Sequence, residues 1–251
     1  MGSVRGRTFM DFIRYNVPAL RGITGTQLQR APLWNDIYSK STGIYEWGCK
    51  PSHLFQYIYR HNGISNAATL KETMPSDDAV LLIGAGASQL GDAMYEYGYE
   101  PVVQTDFSEV VVNRRREALD RSKYPKMYWE LADARLPLHP LLHLIQKPNN
   151  SDVSHIQDGS ASSVLFGSVL DKGLIDGLYL AGGESMEDIP KVVSNVANVL
   201  TPESGVFVTF SYSHPNIIEP LLKHRLFGSI EARLLETPDI YLYRVCRNAE
   251  V

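Results

Sequence analysis

The sequence predicts an α/β fold, with a mostly parallel sheet and helices on both faces. Three observations carry this. Short apolar runs recur at 79–83, 101–105, 127–131, 163–170 and 205–210, the continuous hydrophobicity of strands buried on both sides. Segments with helical spacing stand between them, and strand–helix alternation is the pattern of a parallel sheet. A glycine turn, Gly84-Ala85-Gly86-Ala87-Ser88, follows the first run, and a carboxylate, Asp106, ends the second.

In chain order, residues 1–30 form a basic arm in which Arg5, Arg7, Arg14, Arg21 and Arg30 face a single acid, Asp11. Residues 31–75 read as helical in pieces. Pro51-Ser52-His53-Leu54 followed by Phe55, Tyr57, Ile58 and Tyr59 predicts a Pro/Ser-started helix with one aromatic face. After the first strand, Leu90, Met94 and Tyr97 mark a helix over 88–97. A second helix over 110–121 carries Arg114 to Arg116 on an outer face. Residues 146–162 are polar and turn-rich, a loop long enough to be functional or disordered. Val192, Val193, Val196, Val199 and Leu200 give an amphipathic helix over 189–200. Segments 232–235 and 240–246, with only a turn between them, predict an antiparallel hairpin at the sheet edge.

The 251 residues, 44% of them hydrophobic, suffice for one domain over 31–251 beyond the arm. A net charge of −4 speaks against a surface built to hold nucleic acid. Cys49 and Cys246, the two cysteines, make no metal spacing and no disulfide framework, which fits a reducing compartment. No apolar run reaches membrane-spanning length. The expectation is a soluble cytoplasmic protein. A mitochondrial presequence is the alternative reading of the arginine-rich arm.

Gly84 and Gly86, without Cβ atoms, let the backbone approach a ligand, and in an open α/β sheet that ligand lies beyond the carboxyl ends of the strands. Asp106 can accept hydrogen bonds from both hydroxyls of a ribose. A nicotinamide cofactor needs G-x-G-x-x-G/A; here Gln89 fills the third small position and Gly91 falls out of register. Asp133 ends the third run, where a carboxylate or a neighbouring amide can read an adenine edge. One polar group at each of three successive strand ends fits a compact adenosine carrying a sulfonium.

Four segments then resemble the class I S-adenosylmethionine-dependent methyltransferases, and within them the methyltransferase-like family that includes lysine methyltransferases of eukaryotic elongation factor 1A. They are Trp34-Asn35-Asp36-Ile37-Tyr38 with Tyr45-Glu46-Trp47-Gly48; the turn from Gly84 to Leu90; Tyr97-Gly98-Tyr99 with Thr105-Asp106-Phe107-Ser108-Glu109-Val110-Val111-Val112; and Val169-Leu170-Asp171-Lys172-Gly173-Leu174-Ile175-Asp176. The resemblance implies a Rossmann-like, seven-stranded sheet of order 3-2-1-4-5-7-6, with a helical lid over 31–75 and a variable loop over 146–162. It implies S-adenosyl-L-methionine as cofactor, S-adenosyl-L-homocysteine as product, and a protein lysine as acceptor. By position it places Trp34, Tyr38 and Trp47 around the methionine half, with Gly84 and Gly86 in the turn. Asp106 then falls on the ribose, Phe107 near the adenine, Asp133 and Ala134 on the adenine edge, and Lys172 beside the cofactor. The family's G-C-G-N-S turn has Ala85 and Ala87 here, and its D-K-G-T-L-D has Leu174 and Ile175 in its fourth and fifth positions.

No covalent enzyme nucleophile is needed, because methyl transfer is an in-line displacement that demands position and a deprotonated acceptor. Tyr212, His214, Asp171 and Asp176 are candidates to line the acceptor slot, with His214 read first as an ordinary loop histidine. The N-P-P-[YF] motif of enzymes that methylate amino groups on bases or glutamine is absent; Asp171-Lys172-Gly173-Leu174 stands in its place. Two other readings stay open. One is a methyltransferase with a small-molecule or other protein acceptor, and the other a weakly catalytic, cofactor-binding interaction module.

Overall fold

A computed structural model describes residues 30–40, 46–61, 64–74, 78–146, 164–236 and 240–249. Most of the basic arm and of the 146–162 loop, and Tyr45 with them, lie outside the described residues. The described residues open with helix α1 (Ala31–Lys40) and a single turn α2 (Ser52–Phe55), then an antiparallel pair, β1 (Gln56–His61) and β2 (Ile64–Thr69), and a second single turn α3 (Leu70–Thr73). The alternating part follows: β3 (Val80–Ile83), α4 (Leu90–Glu96), β4 (Val102–Asp106), α5 (Glu109–Ala118), β5 (Met127–Leu131), β6 (Ser168–Lys172), α6 (Leu174–Ala181), α7 (Asp188–Val199), β7 (Val206–Ser211) and α8 (Pro215–Leu221). It closes on β8 (Phe227–Leu235) and β9 (Tyr241–Arg247).

The nine strands among the described residues belong to one sheet of order β2-β1-β8-β9-β7-β6-β3-β4-β5. The five strands β7-β6-β3-β4-β5 are parallel; β9, β8, β1 and β2 are joined by antiparallel pairings. The expected seven-stranded sheet is therefore corrected to nine. The two additional strands come from the region expected to be helical. The helix predicted from Pro51 stops at Phe55, where Gln56 turns to extended backbone (φ −137°, ψ 121°). Beyond it, Tyr57 is buried and Ile58 exposed, the two-residue alternation of a half-buried strand, and Tyr59 pairs across to Leu235.

Every residue of β3, β4, β6 and β7 is buried, because helices cover both faces. One apolar layer joins Leu81, Ile83, Val103 and Phe207 to α6, α7 and α8; the other joins Val80, Leu82 and Val102 to α2, α3 and α4. In α7, Ile189, Val192, Val193, Val196, Ala197 and Val199 all face inward, as their spacing requires. The fourth strand begins at Ser168, later than expected, and Phe166 forms only an isolated bridge to Leu200.

The arginines of α5 are a solvated face only in part: Arg114 and Arg115 are half-buried and Arg116 is exposed. Arg114 donates to the Tyr38 carbonyl (2.5 Å), Arg115 pairs with Asp92 and lies over the Trp129 ring (5.1 Å), and Arg116 donates to the Trp129 carbonyl (2.6 Å). They tie α1, α4 and the edge strand β5 to one helix. Among the described residues no helix is long and apolar enough to cross a membrane, and no group of three His, Cys, Asp or Glu side chains is set to hold a metal ion.

Candidate functional site

The chain runs β3, β4, β5 in one direction across the sheet, then returns to place β6 on the other side of β3. Such a reversal opens a crevice at the carboxyl ends of the strands, the usual ligand position of an open α/β sheet. Register brings the tips level, with Ile83 beside Asp171 and Asp106 beside Leu131. A cleft sits there, walled by Trp34, Tyr38 and Trp47, floored by the turn from Gly84 to Ser88, and bounded by Asp106, Phe107, residues 132–135 and Lys172 to Leu174. All ten expected site residues line it: Trp34, Tyr38, Trp47, Gly84, Gly86, Asp106, Phe107, Asp133, Ala134 and Lys172.

The turn is shaped by its glycines. Gly84 and Gly86 have φ of +59° and +56°, in the left-handed region that L side chains avoid. A Cβ on Gly86 would come within 2.7 Å of the Tyr38 hydroxyl, and one on Gly84 within 3.1 Å of Leu174 Cβ. The bare backbone is thus what keeps the floor open. Gly91 has a different use. It lies in the first turn of α4, where a Cβ would collide with the Gln104 side chain of β4. The close helix–strand packing that a third small residue gives a dinucleotide turn is therefore present, supplied two residues after Gln89.

Asp106 is held by backbone alone. Gly86 N–H donates to one carboxylate oxygen and Ser108 N–H to the other, each at 2.9 Å. Burial pushes its pKa up to about 6; the backbone donors from Ser108 and Gly86 oppose that rise, and the negative Asp133 adds to it. Each oxygen makes one of these bonds and has accepting capacity left. Asp133 is gripped by Arg135, whose Nη2 lies 2.6 Å from its Oδ2. The Arg135 guanidinium also lies 5.8 Å from the centre of the Phe107 ring. This end of the cleft offers a carboxylate, a flat aromatic face and a carboxylate–guanidinium edge, a set suited to a ribose and an adjoining heteroaromatic base.

The other end is aromatic. The Trp34 and Tyr38 rings lie 5.7 Å apart, and Trp47 packs over Gly173, so closely that a Cβ there would overlap the indole. Aromatic faces attract cations. Lys172 reaches the same end, but its ammonium is paired with Glu46 (2.5 Å) and donates to the Cys49 carbonyl (3.1 Å). Glu46 accepts in addition from Ser88 Oγ and from Gln89 N–H, both at 2.7 Å.

Sequence reasoning does not single out Glu46 or Arg135. Arg135 stands two residues after Asp133, a spacing that brings the side chains together in a turn and is open to reading. Glu46 meets partners 42, 43 and 126 residues away, and no local periodicity encodes that. The acceptor-slot candidates divide. Asp171 caps α6, accepting from Leu174 N–H (2.7 Å), Ile175 N–H (3.2 Å) and Thr209 Oγ1 (2.6 Å). Asp176 bonds Ser211 Oγ and accepts from Tyr212 N–H at 3.0 Å. Burial raises the two pKa values to about 6 and about 7. Both carboxylates hold backbone, and neither lines the cleft. His214 accepts from Asn216 N–H as the cap of α8 (3.3 Å). Tyr212 does not line the cleft but packs in the apolar cluster that holds Trp34 and Trp47, its hydroxyl donating to the Gly48 carbonyl (3.2 Å).

No protein-family model matches the chain. It is 25% identical over 148 residues to the eEF1A lysine and N-terminal methyltransferase of Xenopus laevis, a match covering 59% of this chain and 18% of that one. It is 24% identical over 200 residues to the EEF1A lysine methyltransferase 4 of Mus musculus, covering 76% of this chain and 64% of the other. The chain thus spans less than a fifth of the length of the first relative and under two thirds of the second. In three dimensions it is similar to the glycopeptide N-methyltransferase MtfA complexed with S-adenosyl-L-homocysteine, with a TM-score of 0.50 at 14% identity, over 70% of this chain and 86% of that one. At that identity the likeness concerns the fold.

Proposed function

We propose that this chain, a relative of the eEF1A lysine methyltransferases with the Rossmann-like methyltransferase fold, moves a methyl group from S-adenosyl-L-methionine to a protein lysine side chain. The observation that carries the reading is the asymmetry of the cleft: a ribose-type acceptor, Asp106, at one end and an aromatic wall at the other, with a backbone floor between them. Gly84 and Gly86 fit the cofactor's body, since side chains there would fill the space. Asp106 receives the ribose hydroxyls, Phe107 and Ala134 flank the adenine, and Asp133, held by Arg135, borders it. Trp34, Tyr38 and Trp47 enclose the methionyl half and shield it from water.

When bound, the cofactor supplies a methyl carbon already activated by its sulfonium, so the protein's task is alignment and exclusion of water. A lysine ammonium titrates near 10.4 in water, and an apolar, aromatic approach lowers that value by disfavouring the charged form. The acceptor amine enters past Trp34 and Trp47, with Tyr212 packed beside them. The relatives' names point to elongation factor 1A as the acceptor, and with that substrate the setting is cytoplasmic. The test is incubation of the protein and a labelled methyl donor with purified elongation factor 1A and, separately, with cell extract. Label on a lysine, mapped by mass spectrometry and lost with Asp106→Asn, is the expected result. Label confined to small molecules would overturn the acceptor and leave the cofactor assignment standing.

A further inference from the structure

The charges around the cleft are nearly all paired. Among its charged lining residues, Asp133 and Arg135 bind each other and Lys172 binds Glu46. Among the described residues Asp106 has no cationic partner and is held by backbone N–H groups. The Lys172–Glu46 pair is the shielded one: the side chains are 5% and 16% exposed, against 25% for each member of the Arg135–Asp133 pair. Lys172 sits at the aromatic end, next to Gly173 and Trp47. An ammonium there, unneutralised, would lie at the end of the cleft that the proposed function gives to a sulfonium.

We propose that Glu46 is a specificity-determining residue: by neutralising Lys172 it makes the aromatic end of the cleft tolerate a sulfonium cation, and so sets the preference between the charged methyl donor and its uncharged thioether product. The inference rests on the functional reading above. Three donors fix Glu46 for this role: Ser88 Oγ, Gln89 N–H and Lys172 Nζ. The first two hold the carboxylate beside Lys172, and Glu46 adjoins Trp47 in sequence, so the same contacts seat the aromatic wall. Lys172 in turn is anchored on the Cys49 carbonyl and cannot swing away to water without breaking that bond. Charge interactions between partly buried groups are weakly screened, so the unpaired ammonium is felt across the cleft.

Donor and product share their adenosine and amino-acid portions and differ in one methyl and one positive charge. The ratio of their dissociation constants therefore isolates the charge. We expect Glu46→Gln, which removes the charge but keeps one oxygen to accept from Gln89 N–H while its amide nitrogen can donate to Ser88 Oγ, to weaken S-adenosylmethionine roughly tenfold more than S-adenosylhomocysteine. Lys172→Met is expected to move the ratio the opposite way, towards the sulfonium, and the double variant to return it to within about threefold of the parent. Isothermal titration of the four proteins with both compounds reads all of this. Equal weakening of both ligands by Glu46→Gln, or an unchanged ratio in both single variants, would make Glu46 a mere latch for the lid and overturn the proposal. If the parent protein bound neither compound, the functional reading itself would fall, and this inference with it.

Discussion

The two ends of the cleft are built by different means. The strand-tip end is made from neighbouring parallel strands: Ala85 N–H donates to the Thr105 carbonyl (2.8 Å), Ala132 N–H to the Asp106 carbonyl (3.0 Å), and Gly86 N–H to the Asp106 side chain. Its geometry is inherited from the buried sheet. The aromatic end is made from α1 and the segment from Glu46 to Lys50, which pack on the rest of the fold through Ile37, Tyr38 and Cys49 and are further tied to it by polar side chains. The Ser108 hydroxyl meets Asn35 Oδ1 (2.6 Å), Arg114 meets the Tyr38 carbonyl, Glu46 meets Ser88 and Lys172, and Tyr212 meets Gly48. A frame built on core strands opens only with global unfolding, whereas an element held by side-chain contacts opens at lower cost. The strand-tip end is therefore expected to be the harder to open and the aromatic end the easier.

The sharpest way to break this contrast is at Asp106. Asp106→Asn removes the charge that strengthens its bonds to two hydroxyls, each worth about 1.5–3 kcal/mol. Affinity for S-adenosylmethionine and S-adenosylhomocysteine should fall together by roughly a hundredfold or more, measured by calorimetry. A loss of less than about threefold would move the ribose elsewhere.

Proton titration of the same group is expected to come next in size. With its pKa raised to about 6, Asp106 is mostly protonated at pH 5, and ligand affinity should be about tenfold lower there than at pH 7.5. Stability of the unliganded protein runs the other way. Asp106, Asp171 and Asp176 all have folded values, about 6, 6 and 7, above the unfolded value near 3.9. Their contribution is fully present below the unfolded value and is lost as pH rises through 6 to 7. The melting temperature of the free protein should thus be higher at pH 5.5 than at pH 8, while the shift produced by S-adenosylhomocysteine shrinks. Parallel movement of the two quantities would contradict the assignment of Asp106 to the ligand.

The cover is probed by Trp47→Ala. Losing one aromatic face beside a cation costs about 0.5–2 kcal/mol, so affinity for S-adenosylmethionine should drop about fivefold with little change in the melting temperature of the free protein. A fall in that temperature as large as that of a core truncation would mean that the cover is part of the core. Smallest is Arg135→Ala, which frees Asp133 and uncovers Phe107 but leaves Asp106 and the turn in place. A loss of about threefold for both ligands in the same titration is expected, and no discrimination between them.

The same contrast explains what is legible in the sequence. The strands that carry Gly84, Asp106 and Asp133 announce themselves as short apolar runs, so their tips, and the residues on them, can be placed from the order of residues alone. Trp34, Tyr38, Trp47 and Lys172 are reached only through resemblance, since nothing in their local spacing marks them. Glu46 escapes sequence reasoning because its three partners are brought to it only by the closed fold. The β1–β2 hairpin reads as helix because Phe55, Tyr57, Ile58 and Tyr59 suit either state, and pairing with Leu235, far along the chain, decides between them. Arg114 and Arg115 look fully solvent-facing because their apolar stems and distant partners are invisible to a charge pattern.

The most direct test of the cofactor assignment is a thermal-shift titration of the unmodified protein with S-adenosylhomocysteine, repeated with NAD and with the Asp106→Asn variant. S-adenosylhomocysteine should stabilise the parent by about 2.7 kcal/mol at a hundredfold excess over its dissociation constant. NAD should have no effect, and S-adenosylhomocysteine at that concentration should stabilise the variant by no more than about 0.4 kcal/mol. Stabilisation by NAD alone, or an equal shift in parent and variant, would contradict the assignment.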